Sequence, residues 1–113
     1  MCGIYGFAGV RNFQEREIRD SLGKIAHRGP DDSGFLIKGE IGISMCRLAI
    51  NEIETGHQPY SSEDGRYAVV FNGEIYNYQE LCRELNLPPH SSEAKIITNL
   101  FIKFGPGFVK KLD

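Results

Sequence analysis

The sequence predicts an α+β domain, on three observations: short segments of strand-like alternation, segments with apolar residues at helical spacing, and a two-residue hairpin signal between neighbouring strands. Residues 2 to 10 alternate small and apolar types with three glycines and predict a first strand approached closely by other backbone or by ligand. Gln14 to Ala26 follow with Ile18, Leu22, Ile25 and Ala26 on one helical face. His27 to Gly34 (HRGPDDSG) carry Gly, Pro and two Asp within eight residues and read as a loop. Phe35–Lys38 and Ile41–Leu48, joined at Gly39-Glu40, read as a hairpin.

Residues 51 to 66 are polar and turn-rich, a long connection of the functional kind. Tyr67–Phe71 predicts a strand that stops at the Asn72-Gly73 turn. Tyr78, Leu81, Cys82 and Leu85 line one face of a helix over 77–85, ended by Pro88-Pro89. Ser91 or Ser92 can cap a last helix carrying Ile96, Ile97, Leu100, Phe101 and Phe104, closed by Gly105-Pro106.

Composition narrows the function classes. Thirteen Lys or Arg against fifteen Asp or Glu give a net charge of -2, which favours neither nucleic acid nor membrane as partner. The aromatic residues have no basic residues interleaved, so a base-stacking platform is not expected. No apolar run approaches the roughly 18 residues of a membrane span. The N-terminus has no basic and apolar signal-peptide regions, so the expected compartment is the cytoplasm. Three cysteines without C-x-x-C spacing indicate thiols, with Cys46 and Cys82 as inert core thiols. His27, His57 and His90 are dispersed and lack metal-ligand spacing, so no metal site is expected. Asp31 and Asp32 follow Pro30 and read as turn residues that bond backbone amides.

Three features could carry chemistry. Removal of Met1 would give Cys2 a free α-amine, with an ordinary pKa of about 8, so that nucleophile and proton acceptor would share one residue. Asn72 and Gly73 at the end of a strand have the composition of an oxyanion hole: an amide side chain beside an unobstructed backbone N–H. Arg47, at a strand end, can offer a bidentate fork to a carboxylate. Taken singly, each has a plainer reading: a small strand-opening residue, an ordinary turn, a surface ion pair.

Together, Met1-Cys2-Gly3-Ile4-Tyr5-Gly6, the loop 27–34, Arg47-Leu48-Ala49-Ile50, Gly56-His57-Gln58-Pro59 and Phe71-Asn72-Gly73-Glu74-Ile75-Tyr76-Asn77 resemble the class II glutamine amidotransferases. Within them, the chain is most similar to the N-terminal glutaminase domain of glutamine-hydrolysing asparagine synthetases. The resemblance implies a four-layer αββα sandwich of the N-terminal-nucleophile hydrolases and hydrolysis of glutamine to glutamate and ammonia. It implies Cys2 as nucleophile and base, and Asn72 and Gly73 as oxyanion donors. It further implies Arg47, Ile50, Asn72, Glu74 and Glu93 as glutamine contacts, with no metal or cofactor for this half. ATP and Mg²⁺ belong to the family's synthetase domain, a partner that residues 1–113 do not contain, since no Ser-Gly-Gly-x-Asp-Ser run is present.

Two departures from the family pattern stand out. Counting back from Gly105-Pro106 places Glu93 where the family has the Asp that receives the glutamine α-ammonium, and Lys95 where it has Glu; an alternative pairing places Ser92 at the Asp. The family domain also continues past Gly105 to Leu112 into further strands, so the expectation is a sandwich truncated at its C-terminus. An active glutaminase domain and a silent glutamine- or partner-binding module are therefore the two functional expectations, alongside a chain that needs a partner to fold.

Overall fold

The computed structural model describes residues 2–10, 12–48 and 56–113. Met1 and Ile50, both invoked above, lie outside them. Strand β1 (Gly3–Ala8) is followed by helix α1 (Glu15–Ile25), a short 3-10 turn (Ala26–Arg28), and the strands β2 (Asp32–Lys38) and β3 (Ile41–Arg47). The three strands form an antiparallel sheet in the order β1-β3-β2. Gly3 lies opposite Cys46 in one ladder, and Asp32 lies opposite Arg47 in the other. Gly39 takes a positive φ of 61° at the hairpin turn, a conformation that glycine adopts without a Cβ penalty.

Helix α1 covers one face of this sheet. Its first turn is closed by the Glu17 carboxylate, which accepts the Gln14 N–H at 2.8 Å, and its apolar pair Ile18 and Leu22 is buried. Ile25 lies against Gly3, and the Cys46 thiol donates to the Leu22 carbonyl at 3.5 Å, which fixes the helix on the end of the sheet that carries Cys2.

On the opposite face stands a second, two-stranded ladder of β4 (Tyr60–Ser61) and β5 (Ala68–Val69). Lys38 Nζ donates to the Gly65 carbonyl at 3.0 Å, and a Cβ at Gly34 would collide with the Gln58 carbonyl. A cavity of about 220 Å³ remains between the ladders, lined in part by Leu36 and Ile43 on one side and Tyr67 and Ala68 on the other. Helices α2 (Tyr78–Glu84) and α3 (Glu93–Phe104) then close the core with Ile75, Leu81, Cys82, Ile96, Ile97 and Leu100, against which Val69 and Phe71 pack. Full burial of side chains of this size contributes about 1.5 to 3 kcal/mol each.

The α+β expectation holds, with three corrections to its elements. Strand β2 begins at Asp32, inside the predicted loop, because the Asp31 N–H bonds the Arg47 carbonyl at 3.1 Å and the ladder continues from there. The Asp32 carboxylate meets His57 Nδ1 at 2.8 Å. The predicted strand 67–71 pairs only at Ala68–Val69, because its partner β4 is two residues long, and beyond it the Phe71 N–H bonds the Gln58 side chain at 2.6 Å. After α3, capped by Ser92, the backbone turns at Gly105 into a 3-10 segment (Gly105–Lys111) that the Gly-Pro signal does not foretell.

Local geometry makes two outcomes testable. A Cβ on buried Gly29 would lie 2.5 Å from the Cys46 carbonyl oxygen and from the Arg47 carbonyl carbon, so the loop and the end of β3 must separate. Gly29→Ala is expected to destabilise by about 1 to 3 kcal/mol, read as a lower urea midpoint at unchanged slope. In the turn between β4 and β5, the Ser62 hydroxyl donates to the Asp64 carboxylate at 2.7 Å, joined by the Arg66 N–H and guanidinium, and these bonds hold its pKa well below the usual carboxylate range. A depressed folded pKa gives stability that is present at neutral pH and lost on acidification below the unfolded value of about 4. Asp64→Asn is expected to lower Tm slightly at pH 7, the cluster being exposed, with the gap to wild type narrowing below about pH 4.

Candidate active site

Cys2 immediately precedes β1 and is half-buried, whereas Cys46 and Cys82 are buried. Burial raises the Cys46 pKa, the direction of an inert thiol. Because Gly3 lies opposite Cys46, Cys2 comes level with Arg47, the last residue of β3, and the N–H of the next residue, Leu48, donates to Cys2 Sγ at 3.4 Å.

The main chain of Cys2 is held from two sides. Its carbonyl oxygen accepts Arg28 Nε at 3.2 Å and Asn72 Nδ2 at 3.3 Å. The second bond joins residues 70 positions apart and places the amide of Asn72 on the candidate nucleophilic residue. A carboxamide NH₂ carries two donor hydrogens, so one is engaged by Cys2 and the other remains for a ligand oxygen. Asn72, Gly73 and Glu74 are all exposed. A Cβ at Gly73 would come within 2.7 Å of the Phe71 ring, so that ring would have to shift to admit a side chain there.

The turn 72–74 is flanked by fixed points. The Phe71 N–H is bonded to Gln58 Oε1, and the Ile75 N–H to Glu93 Oε1 at 2.5 Å. Tyr76 N–H bonds the Asp113 carbonyl at 2.7 Å, and Asn77 Nδ2 bonds the Lys111 carbonyl at 2.8 Å. Buried Arg47 closes β3 directly across the ladder from Asp32.

Of the residues singled out in the sequence, the structure thus joins Cys2 to Asn72 directly, and brings the end of β3 after Arg47 onto the Cys2 thiol. Glu93 joins the same region through Ile75, while Glu74 stands exposed between these anchors. The sequence marks Arg28, Leu48 and Gln58 only as parts of motifs. Leu48 and Gln58 act through a backbone N–H and a side-chain oxygen whose partners are distant in sequence, and only the His27-Arg28-Gly29-Pro30 spacing points to Arg28. Among the described residues no cluster of three His, Cys, Asp or Glu could hold a metal ion, and no helix is long and apolar enough to cross a membrane.

Comparison with known proteins places the chain in a family. The family model for the glutamine amidotransferase domain matches residues 1–113. The asparagine synthetase [glutamine-hydrolyzing] of Triphysaria versicolor is 40% identical over all of the chain, which covers 20% of that protein. Asparagine synthetase [glutamine-hydrolyzing] 2 of Bacillus subtilis (strain 168) is 34% identical over 96% of the chain, and the number 1 protein of that organism is 44% identical over 75% of it. The chain spans a fifth or less of the length of these curated relatives. With the family model matched along its whole length and relatives 34% and 40% identical over nearly all of it, the chain belongs to the glutamine amidotransferase domain family.

Proposed function

We propose that this domain is a glutaminase, hydrolysing glutamine to glutamate and ammonia with Cys2 as its N-terminal nucleophile, and that it donates ammonia to a reaction of the asparagine synthetase type. The observation that supports this reading is the 3.3 Å bond from the Asn72 side-chain amide to the Cys2 carbonyl, an amide donor next to Cys2 being what an oxyanion hole for that thiol would use. The layer order seen here, helix, sheet, sheet, helices, supports the αββα sandwich of the N-terminal-nucleophile hydrolases as the complete fold.

In this reading Met1 is removed and the Cys2 amine takes the thiol proton. The thiolate attacks the glutamine side-chain carbonyl carbon, and the carbonyl oxygen becomes an oxyanion held by the second Asn72 hydrogen and the Gly73 N–H. The carbon–nitrogen bond breaks as the ammonium of Cys2 returns its proton to the departing nitrogen, and ammonia leaves a γ-glutamyl thioester. Water then adds to the thioester with the amine as base, the carbon–sulfur bond breaks, and glutamate and free thiol result. Arg47 holds the substrate carboxylate, with Ile50 beside it, and Glu74 and Glu93 face the α-ammonium. The glutaminase step uses no cofactor. ATP and Mg²⁺ serve the separate synthetase domain that would consume the ammonia, and the cytoplasm is the compartment that supplies both.

Intact mass after treatment with an electrophilic glutamine analogue tests the reading. Loss of Met1 and a single adduct on Cys2, suppressed by excess glutamine, is expected; adducts spread over Cys46 and Cys82, or none, overturn it in favour of a silent module. Cys2→Ala should abolish glutamate release. Asn72→Ala should lower kcat by about 100- to 1,000-fold with a smaller change in KM, measured as glutamate released, because an oxyanion donor acts in the transition state.

A further inference from the structure

Glu93 opens α3, and its side chain does something that the family's shorter Asp, one methylene less in reach, is not expected to do. Its Oε1 accepts the Ile75 N–H at 2.5 Å, across 18 residues of sequence. The Ile75 side chain is buried in the core with Ile96, Ile97 and Leu100 of the same helix. The residue that follows Asn72-Gly73-Glu74 is therefore fixed to α3 twice, by apolar packing and by a charge-assisted bond to its backbone. At the other end of the turn, Phe71 is held by Gln58. The turn can move only within the span set by these two anchors.

We propose that Glu93, which the glutaminase reading assigns to the substrate α-ammonium, is also a positioning residue for the oxyanion turn, its carboxylate holding the Ile75 N–H. The inference rests on the glutaminase reading and deepens it. A glutamate suits this double role because a carboxylate offers two oxygens with about four acceptor sites, and the added methylene lets one oxygen reach the loop. The amine-binding group and the oxyanion donors are then parts of one rigid unit anchored on α3. Placement matters at this scale, since a displacement of about 1 Å can cost on the order of 100-fold in rate.

Two conservative variants separate the roles. Glu93→Gln keeps an oxygen for the Ile75 N–H but loses the charge, so KM for glutamine should rise about tenfold or more while kcat stays within about threefold. Glu93→Asp keeps the charge but falls short of the loop, so kcat should fall about 10- to 100-fold with a small change in KM. Amide exchange at Ile75, followed by NMR, should stay slow in Glu93→Gln and accelerate in Glu93→Asp. If both variants shift kcat and KM alike, or Ile75 exchange in Glu93→Asp equals wild type, the positioning role is overturned and the glutaminase reading stands. If the wild-type chain releases no glutamate from glutamine, the glutaminase reading fails and the positioning role falls with it.

Discussion

The arrangement of this domain hangs on β3. As the central strand of an antiparallel sheet it is bonded on both sides, and each ladder has a job beyond its own hydrogen bonds. The β1 ladder brings Cys2 to the end of β3, where the N–H of Leu48, the residue after Arg47, reaches the thiol. The β2 ladder brings Asp32 opposite Arg47 and draws the Gly29 loop against the same strand end, close enough that no side chain fits there. A slip of one residue in either ladder would turn every side chain of the slipped strand to the other face, so the register is also what specifies the site.

The second constraint is the apolar core of α2 and α3. It contributes no reacting group, yet Ile75 is sunk into it three residues after Asn72, and the carboxylate of Glu93 reinforces that hold. The exposed Asn72-Gly73-Glu74 turn is thus carried on a packed support, which is how a loop can hold a preorganised donor without burying its own backbone. Asn72 then ties the two halves of the domain together by reaching Cys2. Polar contacts such as Asn72 to Cys2 and Lys38 to Gly65 also link the first sheet to the segments packed on it.

Much of the fold is legible in the residues alone. Helix α1 is visible in the spacing of Ile18 and Leu22, and α3 in Ile96, Ile97 and Leu100, because a buried helical face repeats locally. The β2–β3 hairpin is visible because a two-residue turn needs particular residue types. Strand β2 is longer than its sequence predicts because Pro30, Asp31 and Asp32 favour turns, and a ladder with β3 overrides that preference. The strand predicted over 67–71 is too long for the opposite reason: its alternation is strong, but pairing is limited by a partner of two residues.

Residue type and local spacing set the inventory: an α+β chain, a cysteine that can become N-terminal, an Asn-Gly turn and an arginine at the end of a strand, all in an order that resembles one family. The chain carries these properties with it unfolded or folded. Which groups meet is settled by the fold alone: Asn72 with Cys2, Arg28 with the same carbonyl, Leu48 with the thiol, and Glu93 with Ile75. The reason is that each of these bonds joins residues 18 to 70 positions apart, and each has a backbone N–H or carbonyl at one end, groups that nearly every residue possesses and no sequence pattern distinguishes.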